Sequence, residues 1–483
     1  MKKITGRFGA LESVAFASGF SLMAFELIGA RMLAPAIGSS TYVWTSVIGV
    51  IIAALSAGYF LGGKLADLRG RPGDIALLCL TITIGMGAML LLFDSTMAWI
   101  VQTQSDLRFK GVIASLLLFA PTSLLIGMLS PYLVKLKITS LLSSGQSVAG
   151  LSAFESIGGI VGTFVTGFIV FSYIGAREAL VVVVVLMAAA SWLLEPRRRW
   201  RLRLGAMIFA MGIIMVPLLM TKNDIVRIDT PSANYEIKKG HINGETRLLQ
   251  YVTTGPYGAQ SGIYVDQPNE LSFWYTREAA RMVELAPQKQ KILILGGGAF
   301  TLPEYLARSY PGSQIDVVEI DPGLLTVASN YFDYQTFSNV HTINDDARAY
   351  INTTSQQYDI VIVDVYNDSD APFSLMTREY AAALNRMTTP GSTIIVNTVA
   401  TEVGPCSELL RAVDATYRLV APYAALSRVA TTKPLQRANL LLVYRKQPYT
   451  FAGTKTLSSL GGPTYTDNFM PAERLQQQCQ PWK

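Results

Sequence analysis

Long apolar stretches fill the first 220 residues and do not recur in the rest of the chain. A membrane-spanning helix needs about 20 predominantly apolar residues. We count seven candidate stretches, at 13–30, 43–63, 75–93, 112–134, 147–174, 179–194 and 204–220. The first is too long for the apolar core of a signal peptide and contains Glu26, so we do not expect it to be cleaved. The pattern predicts an all-α bundle of seven transmembrane helices over residues 1–220, embedded in a lipid bilayer.

Lysines and arginines concentrate at the N-terminus and in alternate connectors of this region. They are Lys2, Lys3, Arg7, Lys64, Arg69, Arg71, Lys135, Lys137, Arg197, Arg198, Arg199, Arg201 and Arg203. Basic connectors face the cytoplasm, so seven spans in a bacterial inner membrane place residues 221–483 in the periplasm. One miscounted helix would reverse that side. The same placement accounts for the formal net charge of +6, so we predict no nucleic-acid partner.

Two carboxylates, Glu26 and Glu155, fall within predicted spans. A charge at membrane depth costs about 3 kcal/mol or more, so such a side chain usually faces the bundle interior or a water-filled cavity. The sequence leaves two interpretations open, a substrate or proton contact and a structural hydrogen bond to a neighbouring helix. Gly158 and Gly162, which follow Glu155, favour tight helix packing.

The second half of the chain has the composition of an ordinary globular protein, although only 15% of all residues are charged. We place the boundary near Lys222. Residues 221–285 contain short alternating stretches separated by Gly and Asn, which predict a small β-rich subdomain. Residues 286–483 alternate apolar strands with helical segments, which predicts a Rossmann-like α/β domain.

A strand runs directly into three glycines at Lys291-Ile-Leu-Ile-Leu-Gly-Gly-Gly298, and a helical segment follows from about Leu302. Glycines at such a turn let a ligand approach the backbone, and the next helix offers free N–H groups. Gly296, Gly297 and Gly298 are therefore candidate nucleoside-binding residues. A tight turn without a ligand would have the same sequence.

Carboxylates follow three of the predicted strands, at Glu319, Asp346 and Asp364, and a further strand ends at Asn397. Parallel strands bring their carboxyl ends to one edge of the sheet, where ligands bind. Glu319 lies 22 residues after Gly297, a spacing that suits hydrogen bonds to ribose hydroxyls. We therefore expect the three acids to share one ligand site.

Histidine and cysteine are scarce, with two and three residues respectively, so we predict no metal site. Cys406 and Cys479 could pair in an oxidising compartment or remain as thiols.

These features resemble the polyamine aminopropyltransferase (spermidine synthase) family over roughly residues 230–445. The likeness rests on the glycine turn, Val318-Glu-Ile-Asp-Pro322, Asp346-Ala347, Tyr358-Asp-Ile-Val-Ile-Val-Asp364 and Tyr235 in Ala-Asn-Tyr-Glu. The segments 19–31 and 58–67 resemble the membrane-embedded branch of that family. The resemblance implies a class I S-adenosylmethionine-binding fold.

The family resemblance also implies residue roles. Glu319 would bind the ribose of an S-adenosylmethionine-type nucleoside, with Asp346 and Ala347 near the adenine. Asp364 would take a proton from the attacking amine, and Tyr235 and Tyr275 would complete the catalytic group. The nucleoside is a co-substrate, so the resemblance implies no covalently bound cofactor.

Three departures from the family pattern affect the expected specificity. The glycine turn continues with Ala299-Phe300, where the family has an acid that contacts the donor's cationic tail. The family's Tyr-His pair is Tyr275-Thr276 here. After Asp364 the chain carries Tyr366, Asp368 and Asp370, which either build a different acceptor pocket or form a polar loop.

We therefore expect an integral membrane, spermidine synthase-like enzyme with altered specificity. It would displace methylthioadenosine from S-adenosylmethionine or its decarboxylated form, by an amine or by internal cyclisation. The alternative is a transporter or membrane sensor whose soluble domain binds a nucleoside or polyamine without turnover. A homodimer is left open.

Overall fold

The computed structural model describes residues 8–477, with gaps. The gaps fall at residues 39, 105, 139–143, 195–203, 206–207, 209–211, 213–224, 231, 242–245, 255–258, 366–371, 405–406, 429–433, 435–436 and 450–451. The chain divides into two compact units, Met1–Asn223 and Asp224–Lys483.

The first unit is helical. Its helices are α1 (Phe8–Ile37), α2 (Thr41–Arg69), α3 (Pro72–Thr103), α4 (Leu107–Ala114), α5 (Ala120–Lys137), α6 (Ser144–Phe164), α7 (Phe171–Tyr173) and α8 (Ala176–Leu194). Two π-helical turns, Ser115–Phe119 and Val165–Val170, link α4 to α5 and α6 to α7. Among the described residues, six helical stretches are long and apolar enough to cross a membrane. The prediction counted seven, and its last stretch, 204–220, lies almost entirely outside the described residues.

Glycines let two helix pairs approach closely. A Cβ on Gly158 of α6 would lie 2.1 Å from the carbonyl oxygen of Phe16 on α1, and one on Gly162 would lie 2.6 Å from that of Phe20. A Cβ on Gly58 of α2 would lie 2.2 Å from the carbonyl oxygen of Leu124 on α5. The first pair provides the close packing expected of Gly158 and Gly162.

The carboxylate of Glu155 accepts a hydrogen bond from the hydroxyl of Ser130 on α5, at 2.9 Å. This is the contact that the structural interpretation of Glu155 requires. Glu26 lies on α1 and is partly buried. At the N-terminal end of the same helix, Glu12 forms an ion pair of 2.9 Å with Lys137.

The second unit begins with an antiparallel sheet of β1 (Ile225–Asp229), β2 (Asn234–Gly240), β3 (Leu249–Thr253) and β4 (Ser261–Tyr264), paired in chain order. Helix α9 (Trp274–Leu285) follows. The alternating apolar side chains of β2 and β3, such as Tyr235, Ile237 and Val252, pack on Leu324 of the following domain. This sheet therefore forms one wall beside the larger domain.

The larger domain is a doubly wound α/β fold. Its elements are β5 (Lys291–Leu295), α10 (Thr301–Ser309), β6 (Gln314–Glu319), α11 (Gly323–Tyr331), β7 (Val340–Asn344), α12 (Ala347–Thr353), β8 (Tyr358–Val363), α13 (Arg378–Met387), β9 (Thr388–Ala400), α14 (Ser407–Arg418), β10 (Tyr423–Ser427), β11 (Ala438–Arg445), β12 (Lys455–Leu457) and α15 (Ala472–Gln477). The sheet order is β12-β10-β11-β9-β8-β5-β6-β7.

Strands β5 to β9 are parallel, whereas β10, β11 and β12 pair antiparallel. The central strands β5 and β8 are largely buried apolar runs because helices cover both faces of the sheet, whereas the edge strand β7 is more polar. Strand order reverses between β5 and β8, which creates a crevice at their carboxyl ends. The predicted Rossmann-like fold places its site at this crevice.

Strand β9 corrects one boundary. The sequence predicts a strand that ends at Asn397, whereas β9 begins at Thr388 and continues to Ala400. Its register against β8 jumps from Tyr358 opposite Thr388 to Ile360 opposite Thr393. The irregularity accommodates Pro390, which cannot donate a ladder hydrogen bond.

Candidate active site

The glycine turn after β5 is built by close backbone contacts. Gly296 has a φ of +92°, and a Cβ there would lie 2.1 Å from the carbonyl oxygen of Asp364. Gly298 has a φ of +52°, and its nearest neighbour is the side chain of Ser261. Both positions need glycine, the first for space and backbone conformation and the second for conformation.

Phe300 does not face the ligand side of this turn. It adopts the left-handed conformation, with a φ of 58°, and its side chain is fully buried. Its ring packs beneath Gly297 and lies 5.0 Å from the ring of Tyr334, measured between centroids. Ala299 is also fully buried, in the cluster that contains Tyr235. The bulky ring therefore fills the core and leaves the crevice open.

Glu319 closes the turn from the end of β6. One carboxylate oxygen accepts from the N–H of Gly297 at 2.7 Å, and the other accepts from the N–H of Asp321 at 2.9 Å. Burial raises the pKa of Glu319, and these backbone donors oppose the rise. Each oxygen keeps a lone pair, so the carboxylate can still accept from two neighbouring hydroxyls.

Asp346 is the N-cap of α12 and accepts from the N–H of Ala349 at 3.0 Å. Its partner in the predicted pair, Ala347, is the first residue of that helix. The cap fixes one carboxylate oxygen, and the side chain still lines the crevice.

Asp364 follows β8 and lies deep in the crevice. Its Oδ1 accepts from the side-chain amide of Asn397 at 2.8 Å. Burial raises the pKa of Asp364 to about 6, hydrogen bonds from Asn397 and Tyr275 lower it, and the charge of Glu319 raises it. At neutral pH the group is therefore mostly ionised, yet close enough to its pKa to exchange a proton.

The two predicted tyrosines have different environments. The Tyr275 hydroxyl donates to the carbonyl of Gln260 at 2.8 Å and also interacts with Asp364. Burial and the Asp364 charge raise the pKa of Tyr275. The Tyr235 hydroxyl instead donates to Asp321 at 2.8 Å, a carboxylate that Thr230 also contacts. Burial, followed by Asp321, raises the pKa of Tyr235.

One cavity of about 530 Å³ brings all of the predicted site residues together. Its lining includes Tyr235, Tyr275, Gly296, Gly297, Gly298, Glu319, Asp346, Ala347 and Asp364. The volume falls within the range usual for small-molecule sites, about 300–1,000 Å³. The carboxylates lie at the ends of β6, β7 and β8, so one side of the cavity is acidic.

The sequence did not single out several polar residues of this cavity, namely Gln260, Ser261, Thr301, Asp321, Asn397 and Asn439. Ser261 and Thr301 pair through their hydroxyls at 3.2 Å. Asn397 could have been found, because the sequence placed it at the end of a predicted strand, although β9 continues to Ala400. Asp321 lies within the quoted motif Val318–Pro322.

Tyr366, Asp368 and Asp370 lie outside the described residues, as do Cys406 and Cys479. Within the described part of the chain, no group of three His, Cys, Asp or Glu side chains could hold a metal ion.

Residues 272–447 match the model of the spermine/spermidine synthase domain. A polyamine aminopropyltransferase from Vibrio vulnificus is 33% identical over 178 residues, which are 36% of this chain and 58% of that relative. Polyamine aminopropyltransferase 2 from Streptomyces coelicolor is 25% identical over 457 residues, 89% of this chain and 80% of its own length. The second similarity therefore extends into the helical unit.

A probable spermidine synthase of solved structure, from Corynebacterium glutamicum, has 23% identity and a TM-score of 0.38. That likeness covers 45% of this chain and 80% of the other. The domain match covers the elements from α9 to β11, which supply most of the cavity lining, whereas Tyr235 and Ser261 lie before it. The chain therefore contains a region, residues 272–447, that is similar to the spermine/spermidine synthase domain, and it spans less than two thirds of the length of the Vibrio vulnificus relative.

Proposed function

We propose that this protein is an integral membrane transferase of the aminopropyltransferase type that acts on a sulfonium nucleoside. The donor is S-adenosylmethionine or its decarboxylated form, and the product is methylthioadenosine. The observation that supports this best is a half-buried carboxylate, Asp364, hydrogen-bonded to Asn397 in the cavity that also contains Glu319. A binding module needs no base, whereas this reaction does.

The donor's nucleoside would occupy the acidic side of the cavity. Glu319 is held by the N–H groups of Gly297 and Asp321, with lone pairs left for the ribose hydroxyls. Asp346 would accept from the adenine amino group, since its other oxygen caps α12. The glycine turn lets the nucleoside approach the backbone without steric conflict.

Asp364 would act as the general base. The amine nitrogen attacks the carbon next to the sulfonium sulfur, and a new C–N bond forms as the C–S bond breaks. The bonding electrons pass to sulfur, which leaves as the neutral thioether of methylthioadenosine. The proton lost by the nitrogen moves to Asp364. In internal cyclisation the attacking amine belongs to the donor itself.

We also propose that specificity departs from ordinary spermidine synthesis. The turn carries Ala299, whose side chain is fully buried in the core, where the family pattern has an acid for the donor tail. Ser261 and Thr301 line the cavity beside the turn, and their hydroxyls contact each other. Neutral hydroxyls select a cationic tail less strongly than a carboxylate does.

The enzyme would be a multi-pass protein of the inner membrane, with lipid around the helical unit. Six stretches of the described chain support this by length and apolar character. If the segment 204–220 also crosses, the basic connectors place the soluble domain in the periplasm.

The test uses the purified full-length protein with S-adenosylmethionine or its decarboxylated form, with and without a short aliphatic diamine. Methylthioadenosine is quantified by mass spectrometry. Asp364→Asn keeps the shape but removes the base, so we expect its rate to fall by about 10²–10⁴-fold. Saturable nucleoside binding without release of methylthioadenosine would instead identify a sensor or transporter.

A further inference from the structure

Asn397 occupies the position beside the base on the neighbouring parallel strand. Val396 of β9 pairs with Val363 of β8, so the next residue of each strand, Asn397 and Asp364, lie side by side. Asn397 is 5% exposed and lines the cavity. Its side-chain Nδ2 donates to Oδ1 of Asp364 at 2.8 Å.

The other end of this amide is unsatisfied. Oδ1 of Asn397 is buried and has no hydrogen-bond partner within the described part of the chain. A buried acceptor without a partner opposes folding, so such groups are rare and usually have a functional explanation. The reverse orientation would set Oδ1 against a carboxylate oxygen, so Asp364 fixes the way the amide points.

We propose that Asn397 is a positioning residue, whose amide orients the Asp364 carboxylate and keeps it ionised for the attacking amine. The role of the amine rests on the proposed function, whereas the effect on the carboxylate does not. The amide nitrogen of Asn397 donates to Asp364, while its oxygen has no partner among the described residues. A purely structural amide would have hydrogen-bond partners at both ends.

Among the described residues, two other titratable groups act on the Asp364 carboxylate. The hydroxyl of Tyr275, on α9, interacts with Asp364 and donates a hydrogen bond to the carbonyl of Gln260. Glu319, at the end of β6, repels the charge. Asn397 and Tyr275 are therefore the two donors that oppose burial and this repulsion, and Asn397 has the larger effect on the pKa of Asp364.

The experiment follows the carboxyl band of Asp364 by infrared difference titration of the full-length protein. The band is identified by its loss in Asp364→Asn, and in the unmodified protein it should titrate near pH 6. Asn397→Leu removes the donor at similar volume. We expect its midpoint to rise by roughly one to two pH units, as loss of a charge-assisted hydrogen bond requires.

Asn397→Asp is a second variant that keeps the size of the side chain and covers the case in which the leucine variant does not fold. Two adjacent carboxylates share a proton, so the pair should also hold a proton above pH 6. Where turnover is measurable, the acidic limb of kcat/KM should shift to higher pH in both variants.

Asn339→Leu is the control for losing a half-buried amide that donates hydrogen bonds. Its side chain holds the carbonyls of Ala307, Tyr310 and Ser313, away from the base. It should lower the melting temperature without moving the Asp364 band.

An unchanged midpoint in both Asn397 variants would overturn the positioning role. A shifted midpoint in a protein that releases no methylthioadenosine supports that role and overturns the proposed function, so the two failures are distinguishable.

Discussion

Gly296→Ala tests how tightly the glycine turn and the base are coupled. The new Cβ would lie 2.1 Å from the carbonyl oxygen of Asp364 and 3.4 Å from the side chain of Val365. The first distance is more than an ångström short of ordinary contact, and its partner is backbone. Either β5 or the residue after β8 must therefore move by about 1 Å.

The Gly296→Ala substitution should lower the free energy of unfolding for two reasons that can be separated. A φ of +92° costs a residue with a Cβ about 1–3 kcal/mol, and the displacement is added to that. The displacement moves Asp364 itself, and a misplacement of about 1 Å can lower a rate about 10²-fold. We therefore expect the rate of methylthioadenosine release to fall by about two orders of magnitude, beyond the loss of stability.

Gly461→Ala is the matched control, because its φ is +65° and a Cβ there would meet nothing within 4 Å. It carries the conformational cost alone and lies away from the cavity. Thermal unfolding and turnover are measured on all three proteins under the same conditions. If Gly296→Ala keeps the turnover rate of Gly461→Ala, the turn does not position the base and our reasoning fails.

Four further predictions follow from the same geometry. The acidic limb of kcat/KM should fall as pH drops through about 6, because only ionised Asp364 accepts a proton. A limb that survives in Asp364→Asn would contradict this. The raised pKa of Asp364 acts on the free energy of unfolding in the opposite direction, because the folded protein holds the proton more tightly than the unfolded chain. That free energy should decrease by roughly 3 kcal/mol as pH rises from about 4 through 6, and by less in Asp364→Asn. Unfolding at several pH values measures the decrease. Glu319→Gln places an NH₂ group against the N–H of Gly297 or Asp321. Methylthioadenosine should therefore bind roughly 10- to 100-fold more weakly, as measured by calorimetry. Unchanged binding would exclude Glu319 from the nucleoside site. Alkaline phosphatase fused after residue 483 should be active if 204–220 crosses the membrane, and a reporter active only in the cytosol would place the domain inside.

The sequence was sufficient to predict three of the four acids of the cavity, for a simple geometric reason. Glu319, Asp346 and Asp364 each follow a strand of a parallel sheet, and parallel strands share one edge. The glycine turn marks the strand at the centre of that edge. Position along the chain therefore determines position in space for these residues, and all of them line the same cavity.

Side-chain direction could not be predicted in the same way. Phe300 follows the glycines directly, and only its left-handed backbone turns the ring into the core. Tyr235 lines the cavity, but its hydroxyl is bound to Asp321, a pairing across 86 residues that no local pattern contains. Both outcomes depend on tertiary contacts rather than on spacing.

The bundle shows a similar limit. Hydropathy predicts which segments can cross a membrane, but Gly58 and Leu124 are brought together by helix packing between distant spans. The contact of Glu155 with Ser130 depends on the same packing. The sequence could therefore predict that Glu155 needs a partner, and not which partner it has.

The glycine turn connects the two sides of the cavity, the proposed nucleoside side at Glu319 and the proposed acceptor side at Asp364. Gly296 packs on the carbonyl of Asp364, and the next residue, Gly297, donates to Glu319. A shift of the turn therefore moves the proposed ribose ligand and the proposed base together. Glu319 also acts on Asp364 through its charge, which raises the pKa of the base. Ribose hydroxyls that donate to Glu319 would withdraw some of that charge, so nucleoside binding should lower the pKa of Asp364. Titrating the Asp364 infrared band with and without methylthioadenosine measures this directly. A midpoint that does not fall on binding would show that the two carboxylates act independently.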